Sequence, residues 1–100
     1  MSTYLGMPRR VRRRPEEVVR TPMAAALLRA RRDLELSQPE MAEKLGFTLP
    51  KVAALELGRY EPTTDTLLKY GAIARGEAKE AIVEELRKRF AETELVEVVA

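Results

Sequence analysis

The run Ser37-Gln38-Pro39-Glu40-Met41-Ala42-Glu43-Lys44-Leu45-Gly46-Phe47-Thr48-Leu49-Pro50-Lys51-Val52-Ala53-Ala54-Leu55-Glu56-Leu57-Gly58 decides the fold. It opens on a capping box: the Ser37 hydroxyl accepts from the N–H three residues on, and Glu40 reaches back to the Ser37 N–H. The helix behind that box carries Met41, Ala42 and Leu45 inward. It stops at Gly46, because glycine enters the left-handed conformation that ends helices. Thr48 caps a second short helix, in whose first turn Pro50 is tolerated. Val52 and Leu55 form its inner face, and Gly58 ends it. Only Gly46-Phe47-Thr48 joins the two helices, so they must cross steeply, which is the helix-turn-helix pattern.

Upstream, Thr21-Pro22 is a helix start, a hydroxyl cap followed by proline at the first helical position. The segment from Met23 to about Leu34 is rich in Ala, Leu and Arg and places Leu27, Ala30 and Leu34 on one face. Downstream, Thr63 caps a fourth helix running to about Arg75, with Leu67, Leu68, Tyr70 and Ile73 as its apolar positions. After Gly76, Glu77–Ala91 reads as a fifth helix with Ile82, Leu86 and Phe90 at steps of four. Leu95-Val96-Glu97-Val98-Val99 reads as a short C-terminal strand, although no second strand exists in the chain to pair with it. Residues 1–20 read as a flexible basic arm, interrupted by Pro8 and Pro15, with a helical turn over Glu16–Arg20 allowed after Pro15. The expected fold class is therefore all-α. It is a compact bundle of about five helices, divided into an arm (1–20), a helix-turn-helix domain (21–75) and a C-terminal helix and tail (76–100) that serves dimerisation.

Leu28-Arg29-Ala30-Arg31-Arg32, the run from Leu36 to Gly46, Val52-Ala53-Ala54-Leu55-Glu56-Leu57-Gly58, Pro62 and Thr66-Leu67-Leu68 occur in that order. Together they resemble the Cro/C1-type (XRE-type) helix-turn-helix family, a lambda-repressor-like fold that includes phage repressors, restriction–modification controllers and many antitoxins. The likeness covers about residues 24–75. It implies that helix 38–45 crosses the phosphate backbone while helix 49–57 enters the major groove. It further implies that Gln38 meets a phosphate and that Arg31 and Glu56 form an ion pair tying the first helix to the recognition helix. Read without the family, Gln38 is a solvated helix start.

Base-edge readers are usually Arg, Lys, Asn, Gln, Ser or Thr. Here the expected DNA-facing positions are Thr48, Leu49, Pro50, Lys51, Ala53 and Ala54, of which only Thr48 and Lys51 bring a hydrogen-bonding side chain. Either DNA shape supplies part of the specificity, or this surface serves a protein partner. Arg59 and Lys69 flank the motif as further backbone contacts. Arg9, Arg10, Arg12, Arg13 and Arg14 form either a solvated tail or an arm that lies along phosphates or in a minor groove. Ile82, Leu86 and Phe90 are core or dimer interface, and Val96 and Val98 would pair with a symmetry mate.

The chain has 100 residues and a net charge of +2, unevenly spread: residues 1–20 carry +4, residues 21–75 carry +1 and residues 76–100 carry −3. A basic front suggests a polyanion on that side. There is no cysteine and no histidine, which disfavours thiolate chemistry, zinc sites and the commonest general base. No metal, cofactor or enzymatic role is expected. No apolar run nears the roughly 18–20 residues of a membrane span, and the N-terminus lacks a signal-peptide core. The expectation is a cytoplasmic regulator: a homodimeric repressor on double-stranded DNA, or an antitoxin or coregulator with a protein partner such as a toxin or a polymerase subunit.

Overall fold

The computed structural model describes residues 20–99, with side chains described as far as residue 92. The arginines at positions 9, 10, 12, 13 and 14, and nearly all of the arm, lie outside the described residues. Five helices follow in order: α1 (Pro22–Asp33), α2 (Gln38–Leu45), α3 (Leu49–Leu57), α4 (Thr64–Ile73) and α5 (Gly76–Val99). No strand occurs among the described residues. The fold is an all-α helix-turn-helix bundle.

Local chemistry sets the boundaries. The hydroxyls of Thr21, Ser37, Thr48 and Thr63 each accept from the backbone N–H three residues ahead, at 3.1, 3.2, 3.3 and 3.1 Å. At Ser37 the box is closed, because the Ser37 N–H donates to Glu40 Oε1 at 2.8 Å. Gly46 and Gly58 end α2 and α3 at φ 75°. That is left-handed backbone, which a side chain at Cβ disfavours. Gly58 is constrained twice, since a Cβ there would stand 3.4 Å from Ala24 Cβ at the start of α1.

α1 packs on α3 and α5, α2 on α3, and α4 on α5. All five helices feed one core: Leu27 and Ala30, Met41 and Leu45, Val52 and Leu55, Leu67 and Tyr70, Ile82 and Leu86 are buried together.

Three expectations are corrected. Leu68 is exposed rather than part of the inner face of α4. Ile82 and Leu86 are consumed by the protomer's own core, so neither is available as a dimer contact; Phe90, 51% exposed, is left on the surface. Leu95–Val99 continues α5 instead of forming a strand. A lone strand would leave its N–H and C=O groups unpaired, whereas extending the helix gives each new N–H a carbonyl four residues back.

Candidate nucleic-acid interface

The site is built around Glu56, in the last turn of α3. Its side chain is 2% exposed, and a buried carboxylate needs partners. Arg31 of α1 supplies two: Nε donates to Oε2 at 2.6 Å and Nη2 donates to Oε1 at 2.9 Å. Gln38 supplies a third, its Nε2 donating to Oε1 at 2.9 Å. The remaining Arg31 nitrogen, Nη1, donates to the Leu36 carbonyl at 2.9 Å and so fixes the α1–α2 connection. The hydrogen bonds that Arg31 donates to Glu56 raise the Arg31 pKa above its ordinary value, outweighing the opposite effect of burial. Arg20 completes the clasp from outside α1, with Nε donating to the Glu56 carbonyl at 2.6 Å. No basic residue stands in the last turn of α3. Arg20 therefore brings the cation that a helix C-terminus favours.

Held in this way, α3 turns Val52 and Leu55 into the core. Thr48, Leu49 and Pro50 are exposed, Leu49 at 44%, and Lys51, Ala53 and Ala54 are half-buried. None of these six is lost to the interior. Helical spacing puts Leu49, Pro50, Ala53, Ala54 and Leu57 on one outward stripe, and all five are apolar. Lys51 falls on the flank of that stripe. Its ammonium lies 4.1 Å from the centroid of the Phe47 ring, and that of Lys69 on α4 lies 5.2 Å from the same centroid. Phe47 is braced by Tyr70, with ring centroids 6.5 Å apart and planes at 47°. Arg59 is exposed in the loop that leaves α3.

Four contacts go beyond what the sequence predicts. The family resemblance implies that Gln38 meets a phosphate, yet one of its amide N–H groups donates to Glu56. Arg20 belongs by sequence to the arm but reaches the Glu56 carbonyl. Phe47 reads as turn, although an aromatic between two lysine-bearing helices is the available signal. No sequence pattern singles out Arg89, which donates to Thr64 Oγ1 at 3.2 Å and pairs with Glu85 at 3.3 Å and Glu61 at 3.9 Å, tying α5 to α4 and the preceding loop.

Among the described residues, no group of three or more Asp or Glu is placed to hold a metal ion. No described helix is long and apolar enough to cross a membrane.

The arrangement defines a helix-turn-helix unit with an exposed second helix. The chain is similar to an uncharacterized HTH-type transcriptional regulator, YqaE, of Bacillus subtilis (strain 168), at 34% identity over 71 residues. That similarity covers 63% of this chain and spans 61% of the relative's length. No family model matches the chain, and no solved structure matches it.

Proposed function

We propose that this protein is a sequence-specific DNA-binding transcriptional regulator of the Cro/C1 type, without enzymatic activity and working in the cytoplasm. In this reading it is a homodimeric repressor or autoregulator. α3 enters the major groove, presenting Thr48, Leu49, Pro50, Ala53 and Ala54, while Gln38, Arg59 and the arginines of the arm hold the phosphate backbone. The observation that carries the reading is the two-sidedness of α3: Glu56, Val52 and Leu55 anchor it from below, and its outer face remains uncovered. The named regulator in Bacillus subtilis supports the same direction. Leu49, Pro50 and the two alanines suit the C5-methyl groups of thymine, so the operator should be T-rich where α3 lies. The test is selection of bound duplexes from a random library. An inverted repeat with half-sites about 10–10.5 base pairs apart is expected. No enrichment over input would remove the proposal.

One observation favours a second reading, an antitoxin or coregulator. A helix that presents an apolar stripe also suits a groove on another protein. Leu49→Arg separates the two. Added positive charge should retain or raise affinity for non-specific duplex DNA while weakening the preference for the selected T-rich site, whereas it would abolish docking of the stripe into an apolar groove.

A further inference from the structure

We propose that Lys51 and Lys69, gathered over the ring of Phe47, form a two-ammonium clamp for the DNA phosphate backbone, so that Lys51 sets register and reads no base. This rests on the DNA-binding reading above and assigns the polar chemistry of its flank.

Lys51 is the single basic residue of α3, and in a helix of this kind it would ordinarily be taken as the base reader. Its position on the helix argues otherwise, because it stands beside the apolar stripe and leans back toward the turn and α4. The Phe47 ring face attracts the ammonium through its quadrupole but offers no acceptor, so the three N–H donors of Lys51 keep their capacity. Among the described residues no carboxylate lies within ion-pair distance of Lys51. Lys69 meets Asp65 at 3.8 Å, a loose pair on an exposed turn.

The two distances to one centroid place the ammonium groups no more than about 9 Å apart, comparable to the screening length of roughly 8 Å at physiological ionic strength. Two like charges drawn to one ring repel each other, and an anion with several acceptor oxygens relieves that repulsion. A phosphodiester meets this requirement and recurs along a strand; a neutral base edge does not. Phosphate contacts of this kind position a protein on the duplex without carrying sequence information. The division of labour also accounts for the apolar α3 stripe, which is left to meet the bases alone.

The test measures binding of the full chain, Lys51→Ala and Lys69→Ala to two duplexes, the one selected above and a scrambled duplex of equal length, at several salt concentrations. Each variant should weaken both duplexes by the same factor and lower the slope of log K against log salt by about 1. Lys51→Arg should preserve the slope. A loss by Lys51→Ala confined to the selected duplex would make Lys51 a base reader and overturn the clamp. An unchanged slope in Lys69→Ala would overturn it as well. If the full chain binds neither duplex, the regulator reading falls and the clamp with it, a result distinct from binding with unaltered slopes.

Discussion

Arg31 on α1 and Glu56 on α3 meet fork to fork, with two nitrogens of one guanidinium 2.6 and 2.9 Å from the two oxygens of one carboxylate. The pair is withdrawn from water, the Arg31 side chain being 15% exposed and that of Glu56 2%. It joins the first helix directly to the helix proposed to face DNA. Its value is asymmetric: the intact pair offsets its own desolvation, while either member left alone is a stranded charge. Glu56→Ala should therefore cost about 3–5 kcal/mol. That is a large part of the roughly 5–15 kcal/mol that holds a domain together. Urea denaturation measures it. A loss under about 1 kcal/mol, the range of exposed pairs, would show that the pair is only an adornment of the surface.

The parts of this fold that were legible in sequence are those decided within a few residues. Thr21, Ser37, Thr48 and Thr63 each cap their own helix, and Gly46 and Gly58 each end one, so no distant information is needed. The inner positions Val52 and Leu55 follow from spacing alone. Legibility stops where a side chain chooses among distant partners. Gln38 finds Glu56 eighteen residues away, and Arg20 finds the Glu56 carbonyl across the bundle. Nothing local distinguishes these side chains from solvated ones. Leu95–Val99 shows the opposite failure: β-branched residues favour a strand locally, yet without a second strand among the described residues the helix is the state that satisfies the backbone.

Tyr70 carries a cost that can be removed. Its ring is fully buried against Phe47, but its hydroxyl has no hydrogen-bond partner among the described residues. Burial, assisted by the negative charge of Glu56, pushes its pKa well above the usual tyrosine range. An unsatisfied buried hydroxyl costs about 1–3 kcal/mol, so Tyr70→Phe should leave stability unchanged or raise it by about 1 kcal/mol. The folded state retains this proton when the unfolded chain releases it. The tyrosine's contribution is therefore intact below about pH 10 and is lost as pH rises beyond it. The variant should show a shallower alkaline decline in melting temperature. A clear destabilisation at neutral pH would mean the hydroxyl is well satisfied in solution.

Glu35 closes α1 in the position that glycine fills after α2 and α3. Its φ is 58°, and its N–H and that of Leu36 return to the carbonyls of Arg32 and Arg31 at 2.9 and 3.3 Å. Left-handed backbone costs a residue with a Cβ about 1–2 kcal/mol. Glycine removes that strain while adding about 0.4–1 kcal/mol of unfolded-state entropy. Glu35→Gly should thus gain roughly 0.5 kcal/mol, a rise in melting temperature of about 2–4 °C for a domain of this size. A lower melting temperature would mean that Glu35 is held by something other than its backbone.

The capping box at the start of α2 makes its stability depend on pH. The Ser37 backbone N–H, aided by the Ser37 hydroxyl, holds the Glu40 carboxyl below its ordinary pKa. The folded state therefore releases this proton more readily than the unfolded one. The stabilisation is complete above the ordinary glutamate value of about 4.3 and disappears as pH falls through the lower folded value. Wild type should exceed Glu40→Gln in stability by a constant margin from neutral pH to about pH 5.5, with the margin closing below about pH 4. A margin that persists into strong acid would assign the benefit to packing or to the cap hydroxyl alone.

The corrected placement of the α5 stripe sharpens the dimer proposal into a contrast between two residues on one helix. Ile82 is fully buried in the bundle, and Phe90, two turns further on, is half exposed on a helix that continues to Val99. Phe90 thus leaves an apolar surface past the protomer's own core. If a second copy covers that surface, Phe90→Asp should convert dimer to monomer in sedimentation equilibrium at micromolar concentration. The helical signal at high protein concentration should be retained. Ile82→Asp should behave differently, unfolding the protomer whatever the concentration, because a buried unpaired carboxylate is costly wherever its neighbours are apolar. Should Phe90→Asp sediment exactly as wild type does, α5 would be a monomer's terminal helix. A palindromic operator would then require another interface to bring two copies of α3 one helical turn apart.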